Sequence, residues 1–194
     1  KKLIETSGST SAIVKSLVDK TIFEEYYIAQ DRVAFDKKED SQFVLSEAQQ
    51  LAFDSIQENF KTFDVNLLHG VTASGKTEIY IKLLEQYIKA GKQVLFLLPE
   101  IALTTQLVQR LTAYFGNEVA VFHSKYTNNE RIEVWNQVLE NSPKAKVVIG
   151  VRSALFLPFS NLGCIIVDEE HEQTFKQHDP APRYHARDAA IVLA

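Results

Sequence analysis

The sequence predicts an α/β fold with a mostly parallel sheet flanked by helices, and three observations support that prediction. Short apolar runs such as QVLFLLP (93–99) have the continuous hydrophobic pattern of strands that are buried on both faces. These runs alternate with helical segments of about 10–15 residues. Polar or glycine-rich segments follow the runs, at the sheet edge where α/β proteins bind their ligands.

Composition indicates an ordinary globular chain and excludes several classes of protein. The 194 residues are 45% hydrophobic and 24% charged, with a formal net charge of −4, so any contact with nucleic acid must be local. The single cysteine, Cys164, excludes a disulfide framework or a cysteine-rich zinc site within this chain. No apolar stretch approaches the roughly 20 residues of a membrane span, and we expect a cytoplasmic protein without a membrane partner.

Residues 1–40 have a different pattern from the rest of the chain. SAIVKSLVDK (11–20) predicts a helix and is followed by an aromatic run, TIFEEYYIAQ (21–30), with strand propensity. We interpret this part as the end of a winged-helix DNA-binding module with its linker, and residues 41–194 as the α/β domain. Methionine is absent from the chain, and we therefore expect it to be a piece of a longer protein.

The α/β pattern starts with a helix and a short strand. LSEAQQLAFDSIQENF (45–60) predicts a helix with Leu51, Ile56 and Phe60 among its apolar positions. DVNLLHG (64–70) predicts a short buried strand that leads into a glycine loop.

The helix after this loop has one apolar face and ends at Gly91. That face consists of Tyr80, Leu83, Leu84, Tyr87 and Ile88. Further along, the pattern predicts a helix from about Thr104 to Tyr114 and a capping box, TNNE, at residues 127–130. The remaining predicted elements are the strands EVAVFHS, AKVVIG and LGCIIVDEEH, and a helix with Ile132, Trp135 and Leu139. We expect Trp135 and Cys164 in the core and His123 at a strand end.

The segment from Gly70 to Thr77 matches the phosphate-loop pattern G-x-x-x-x-G-K-[ST]. Its glycines allow successive N–H groups to point at phosphate oxygens, and the following helix adds its N-terminal dipole. Lys76 reaches the β- and γ-phosphates, and the Thr77 hydroxyl is a ligand for Mg²⁺. The alternative is an accidental turn between strand and helix. The candidate nucleotide-binding residues of this segment are Gly70, Thr72, Ser74, Gly75, Lys76, Thr77 and Glu78.

A second candidate site is the acidic end of the strand CIIVDEEH. Asp168 at a strand end beside a phosphate loop has the position of a second Mg²⁺ contact, and the next carboxylate, Glu169, can polarise a water. The alternative is an acidic turn that opens a helix. A rival interpretation makes His171, His178 and His185 a metal cluster, but the segment DPAP between them breaks the helix that it needs.

Five segments, taken in order, resemble signatures of the PriA-type replication-restart helicases of bacteria, a DEEH-box family of superfamily 2. They are GVTASGKTE, LLPEIALTTQ, VIGVRSALF, IIVDEEHEQTFKQ and PRYHARD. The resemblance implies the first RecA-like lobe of an ATP-dependent 3′-to-5′ DNA helicase with ATP and Mg²⁺ as cofactors. It further implies that zinc is bound only by a second lobe that this chain lacks, and that the chain alone binds and hydrolyses nucleotide poorly.

The resemblance also implies roles for single residues. Gln49 reads adenine, although Ser46 and Ala48 depart from the usual residues beside it. Lys76, Asp168 and Glu169 serve the hydrolysis, and His171 couples it to DNA. The implied DNA contacts are Thr104, Arg152, Ser153, Phe175, Lys176, Arg183, Tyr184, His185 and Arg187. Two departures from the family pattern are Val151, where threonine is common, and Ala73, where glycine is frequent.

The implied partners are single-stranded and forked DNA, single-strand-binding protein and other primosome proteins. Two other functions stay open at this point. One is a different DExH-type DNA translocase, such as a restriction-enzyme motor subunit. The other is a non-catalytic DNA-binding scaffold that keeps nucleotide only for structure.

Overall fold

The computed structural model describes residues 10–20, 22, 44–71, 74–100, 106–123 and 126–194. The chain divides into two compact units, Lys1–Arg32 and Val33–Ala194. In the first unit, helix α1 (Ser11–Asp19) occupies the segment that the sequence predicts as helical. The aromatic run expected after it lies outside the described residues, except for Ile22. The winged-helix assignment of this unit therefore stays a prediction.

The second unit is built on a four-stranded parallel sheet with the strand order β2-β3-β1-β4. Its strands are β1 (Gln93–Leu97), β2 (Val119–Phe122), β3 (Val147–Gly150) and β4 (Leu162–Val167). Every residue of the first three strands is buried, whereas β4 at one edge is mostly half-buried. Continuous apolar runs predict such doubly covered strands, and the α/β prediction is confirmed.

Helices cover both faces of this sheet. The helices of this unit are α2 (Glu47–Asn59), α3 (Lys76–Lys89), α4 (Gln106–Phe115), α5 (Asn128–Leu139) and α6 (Ala186–Leu193), of which α2 packs against α3 through Ile56. Successive strand residues point to opposite faces, so α3 and α4 pack in one core cluster with Val94 and Phe96, and α5 and α6 pack in another with Leu95 and Leu97. Within the described residues, no helix is both long enough and apolar enough to cross a membrane.

Local signals set the helix ends where the sequence predicts them. Thr127 and Glu130 form the expected capping box at the start of α5, and Ser46 with Gln49 forms another at the start of α2. Gly91 follows the end of α3 with a φ of 74°, a left-handed conformation that suits glycine.

Three details differ from the sequence predictions. Residues 64–70 form no strand, and Leu67 is 76% exposed; an extended segment becomes a strand only where a neighbouring ladder bonds it. Leu51 is exposed, since α2 packs through Ile56 instead. Trp135 is 44% exposed and not a core residue.

The error at Trp135 has a simple cause. Helix α5 carries two apolar stripes, and the sheet covers the one that contains Val134 and Val138. Ile132 and Leu139 share the exposed side with Trp135. His123 follows β2 as expected. Cys164 on β4 is half-buried, and burial raises the pKa of its thiol to about 12, so it is protonated at neutral pH.

A single buried polar side chain joins three segments at the start of β1. Gln93 is fully buried, and its Nε2 donates to the carbonyl oxygens of Val138 at 2.9 Å and Ala145 at 3.4 Å. Its Oε1 accepts from the backbone N–H of Asn161 at 3.1 Å. The side chain therefore links backbone groups at the end of α5 and before β3 and β4, and it gives the Asn161 N–H a buried acceptor.

We expect Gln93→Ala to lower the free energy of unfolding by about 2–4 kcal/mol, because it removes the acceptor of the Asn161 N–H and opens a cavity at a fully buried position. Urea denaturation followed by circular dichroism measures this loss. Gln109→Ala, on the exposed side of α4, is the matched control and should change stability by less than about 0.5 kcal/mol. Equal effects of the two substitutions would contradict the role of Gln93.

Candidate active site

The carboxyl ends of all four strands lie at one edge of the sheet, in register. Leu97 at the end of β1 pairs with Gly150 of β3 and with Val167 of β4, and Phe122 of β2 pairs with the same Gly150. The segments after these strands carry most of the predicted functional residues. The parallel ladder therefore brings chain segments that are far apart in sequence to one edge.

The phosphate loop curls around its own lysine. Lys76, the first residue of α3, donates from Nζ to the carbonyl oxygen of Gly70 at 2.9 Å. Gly75 has a φ of 84° and therefore needs glycine, whereas a Cβ on Gly70 would lie 2.8 Å from Ser74 Oγ and would require the serine side chain to move. Thr77 follows in the first turn of α3 and is half-buried. Thr72 lies outside the described residues.

Gln49 lies directly against this loop. Its Nε2 donates to the carbonyl oxygen of Gly75 at 3.1 Å, and its Oε1 accepts from the N–H of Ser46 at 2.8 Å. A Cβ on Gly75 would collide with this amide group. The structure thus places Gln49, the residue predicted to read adenine, at the phosphate loop, and both the oxygen and the nitrogen of its amide are hydrogen-bonded.

Asp168 follows the last residue of β4 and receives a hydrogen bond from an unexpected partner. The Tyr80 hydroxyl on α3 donates to Asp168 Oδ1 at 3.1 Å. Burial raises the pKa of Asp168 above its usual value, and the Glu169 charge adds to that increase. The Tyr80 hydrogen bond and the charge of Lys76 oppose it. Lys76 and both carboxylates are thus close enough to act on one another electrostatically.

Tyr80 itself is affected by the same group of charges. Its pKa is raised strongly, mainly by burial and then by the Asp168 carboxylate, so the hydroxyl stays protonated as a donor at every physiological pH. The sequence analysis counts Tyr80 only as part of the apolar helix face. A tyrosine hydroxyl that is buried among leucines and isoleucines needs a hydrogen-bond partner, so the sequence pattern could have predicted that Tyr80 contacts a polar group.

The residues after Asp168 form a tight turn with one strained member. Glu169 has a φ of 50°, a left-handed conformation that is uncommon for a residue with a side chain. His171 Nε2 lies 3.7 Å from Glu169 Oε2. Glu170 points elsewhere and accepts a hydrogen bond from Arg187 Nη1 at 2.7 Å.

Two predicted contacts are engaged within the protein. The guanidinium of Arg187, expected to hold DNA phosphate, also donates from Nε to Asp188 at 2.9 Å, so two carboxylates hold it. Glu78, expected to contact nucleotide, forms an ion pair of 2.6 Å with Arg110 of α4. The sequence analysis identifies neither Arg110 nor the partner of Arg187, since neither pair follows a local spacing rule.

Three of the predicted DNA contacts line one cavity of about 420 Å³: Arg152, Ser153 and Tyr184. Arg152 Nη1 donates to the carbonyl oxygen of Thr174 at 3.0 Å, and its Nη2 lies 3.8 Å from Glu100 Oε1. The Tyr184 hydroxyl is 3.4 Å from the carbonyl oxygen of Arg152. The segment after β3 and the loop 174–187 therefore meet at this cavity.

The other predicted DNA contacts lie at different depths. Phe175 is 1% exposed and packs in the core, so it has no ring face available for a base in this structure. Lys176 and Arg183 are exposed, and His185 is half-buried at the start of α6. Thr104 lies outside the described residues.

The residues around the phosphate loop fit a nucleotide with Mg²⁺. A Cβ at Gly70 would project into the loop, towards Ser74 and Lys76. The Lys76 ammonium group donates to a neutral carbonyl oxygen in this structure, and a charged phosphate oxygen would be a stronger acceptor for it. The hydroxyl of Thr77 and the carboxylate of Asp168 are oxygen donors of the type that Mg²⁺ prefers. Among the described residues, no group of three or more His, Cys, Asp or Glu side chains could bind a metal ion by itself.

Comparison with known proteins agrees with this arrangement. The DEAD/DEAH box helicase family profile matches residues 46–190. The chain belongs to the DEAD/DEAH box helicase family. Membership of this helicase family implies the use of a nucleotide.

Individual relatives carry the name replication restart protein PriA. The protein from Bacillus subtilis (strain 168) is 40% identical over 201 residues, which cover 100% of this chain and 24% of that protein. The protein from Haemophilus influenzae is 45% identical over 193 residues, covering 95% and 26%. The protein from Synechocystis is 51% identical over 124 residues, covering 64% and 15%. These matches confirm the resemblance to PriA-type helicases, and the chain spans about a quarter of the first two relatives.

We expect Asp168→Asn to raise the melting temperature of this helicase domain at pH 7.5. The pKa of Asp168 is raised in the folded state, so the ionised carboxylate lowers stability above that folded value. The gain should shrink as the pH falls through the raised pKa and vanish near the unfolded value of about 3.9. Thermal unfolding at several pH values checks this trend, and a loss of stability at pH 7.5 would contradict it.

Proposed function

We propose that this chain is the first RecA-like lobe of an ATP-dependent 3′-to-5′ DNA helicase that acts in replication restart. Family membership and the PriA relatives support the proposal. The observation that carries it is the convergence of Lys76 and the carboxylates Asp168 and Glu169 at one sheet edge. A phosphate loop by itself supports only nucleotide binding; the DEEH turn beside it supports hydrolysis.

In this proposal, hydrolysis depends on positioning and on charge stabilisation. Lys76 moves from the Gly70 carbonyl to phosphate oxygens, where its charge opposes the negative charge of the transition state. Thr77 and Asp168 hold Mg²⁺, which supplies further positive charge at the phosphates when it is bound. Glu169 orients and polarises the attacking water, and Gln49 contacts the adenine base.

DNA contact in the proposal falls on the segments that follow β3 and β4. Arg152 and Ser153 suit backbone phosphates, and Tyr184 suits base stacking. His171 lies 3.7 Å from Glu169, and in the proposal it couples DNA contact to hydrolysis. We further propose forked DNA, single-strand-binding protein and other primosome proteins as partners of the whole protein, in the cytoplasm.

The ATPase activity of the full-length protein, with and without single-stranded DNA, tests the enzyme proposal. Lys76→Ala and Glu169→Gln should each lower the DNA-stimulated rate on the order of 100-fold, since each removes a group that stabilises the transition state of hydrolysis. Lys89→Ala, at the exposed end of the same helix α3, is the matched control and should keep the rate. Unchanged rates in both site variants would favour the scaffold function instead.

A strand-displacement assay separates this helicase from another DExH-type translocase. A partial duplex with a 3′ single-stranded tail should be unwound, and one with a 5′ tail should not. Translocation on intact duplex without strand separation would favour a restriction-type motor.

Tyr80→Phe should weaken the Mg²⁺-dependent part of nucleotide binding about 10-fold, because Tyr80 orients the metal carboxylate Asp168 from behind. Titration of a fluorescent ADP analogue with and without Mg²⁺ measures this part directly and needs no turnover. Tyr87→Phe on the same helix is the control, since the neighbour of Tyr87 is Cys164. If Mg²⁺ increases the nucleotide affinity of Tyr80→Phe as much as that of the wild type, Tyr80 does not position Asp168.

A further inference from the structure

A mixed aromatic and cationic cavity opens at the ends of β2 and β3. It has a volume of about 420 Å³, within the range of pockets that hold small organic groups. Its lining comes from five separate segments: the residue Glu100 after β1, the end of β2, the start of α5, the turn after β3 and the loop 174–187. The lining residues that matter for the argument are Phe122, Arg131, Arg152, Phe156, Gln177 and Tyr184.

Phe156 gives this cavity an exposed aromatic ring. The side chain is 59% exposed although it follows a fully buried strand, β3. Its ring packs edge-to-face against Tyr184, with 5.0 Å between the ring centroids and an interplanar angle of 79°. Tyr184 is itself fixed by a backbone hydrogen bond, Gln177 N–H to Tyr184 O at 2.8 Å. The pair therefore forms a braced aromatic surface in contact with solvent.

Two guanidinium groups flank these rings. Arg131 on α5 lies over the Phe122 ring, 5.5 Å from its centroid, which holds the cation at the wall of the cavity. Arg152 uses one donor for the carbonyl oxygen of Thr174 and has further donors for a ligand. Glu100 is the acidic residue of the lining, and the two arginines outnumber it, so the cavity carries net positive charge.

We propose that this cavity takes one unstacked base of single-stranded DNA. The base stacks on Phe156, and the phosphates on either side of it contact Arg131 and Arg152. An aromatic face accepts any base, which suits a motor that moves along all sequences. Bases within a duplex have both faces covered, so the cavity favours single strands.

This inference rests on the proposed function and deepens it. It replaces Phe175, which is buried in the core, with Phe156 as the stacking residue, and it adds Arg131, which belongs to none of the sequence motifs. Hydroxyl and guanidinium contacts with phosphates fix only the path of the backbone. A base in the cavity would also fix the position of the strand along that path.

Fluorescence anisotropy with the full-length protein tests the proposal, using an oligothymidylate and a strand of equal length made of abasic sites. Phe156→Leu should weaken binding of the oligothymidylate about 10-fold and leave binding of the abasic strand unchanged. Phe156→Trp should restore the preference for bases. Phe63→Leu is the matched control, because Phe63 is 61% exposed and lies outside the cavity.

Arg131→Gln gives the second half of the test. It should weaken the binding of both strands alike, and it should reduce the slope of log binding constant against log salt concentration by about one unit. If Phe156→Leu binds both strands as tightly as the wild type does, or if it weakens the binding of both strands equally, the cavity does not take a base. That result would leave the proposal of DNA-stimulated hydrolysis unaffected. If the wild type binds neither strand, the proposed function fails and the cavity assignment fails with it.

Discussion

The parallel ladder at the end of β1 is the constraint on which the rest of the structure depends. The carbonyl oxygen of Leu97 accepts from Asp168 N–H at 3.0 Å, and Leu98 N–H donates to Gly150 O at 2.9 Å. These two bonds fix where β3 and β4 end relative to β1. A shift of one residue in either register would turn each side chain to the other face of the sheet and move Asp168 away from Tyr80.

This constraint explains why two candidate sites share one edge of the sheet. β4 leads into the carboxylates beside the phosphate loop, and β3 leads into the cavity with Arg152 and Phe156. Every residue of β1 and β3 is buried, so the core holds these two strands rigidly, whereas β4 lies at the sheet edge and is mostly half-buried. The residues of both sites lie on the segments beyond the strands, where the chain is less tightly covered than in the sheet.

Much of the fold follows from the sequence because its signals are local. Continuous apolar runs, the capping box at Thr127 and the glycine after α3 all act within a few residues. The sequence predictions fail for features that depend on residues far apart in the chain. Trp135 and Val134 lie on different faces of one helix, and periodicity alone cannot say which face the sheet covers. The Tyr80–Asp168 contact joins residues 88 apart in sequence, beyond the reach of any spacing rule.

The segment after β4 joins both sites in one hydrogen-bonded unit. Glu169 has a strained, left-handed backbone, which persists only where surrounding contacts hold it. Glu172 N–H donates to Glu169 O at 2.9 Å, and Arg187 ties Glu170 to the start of α6. The loop between these points is closed by the pairing of Lys176 with His185 and carries Tyr184 to the cavity. Tyr184 at the cavity and Glu169 beside Asp168 therefore lie on one segment that these hydrogen bonds hold in a single conformation.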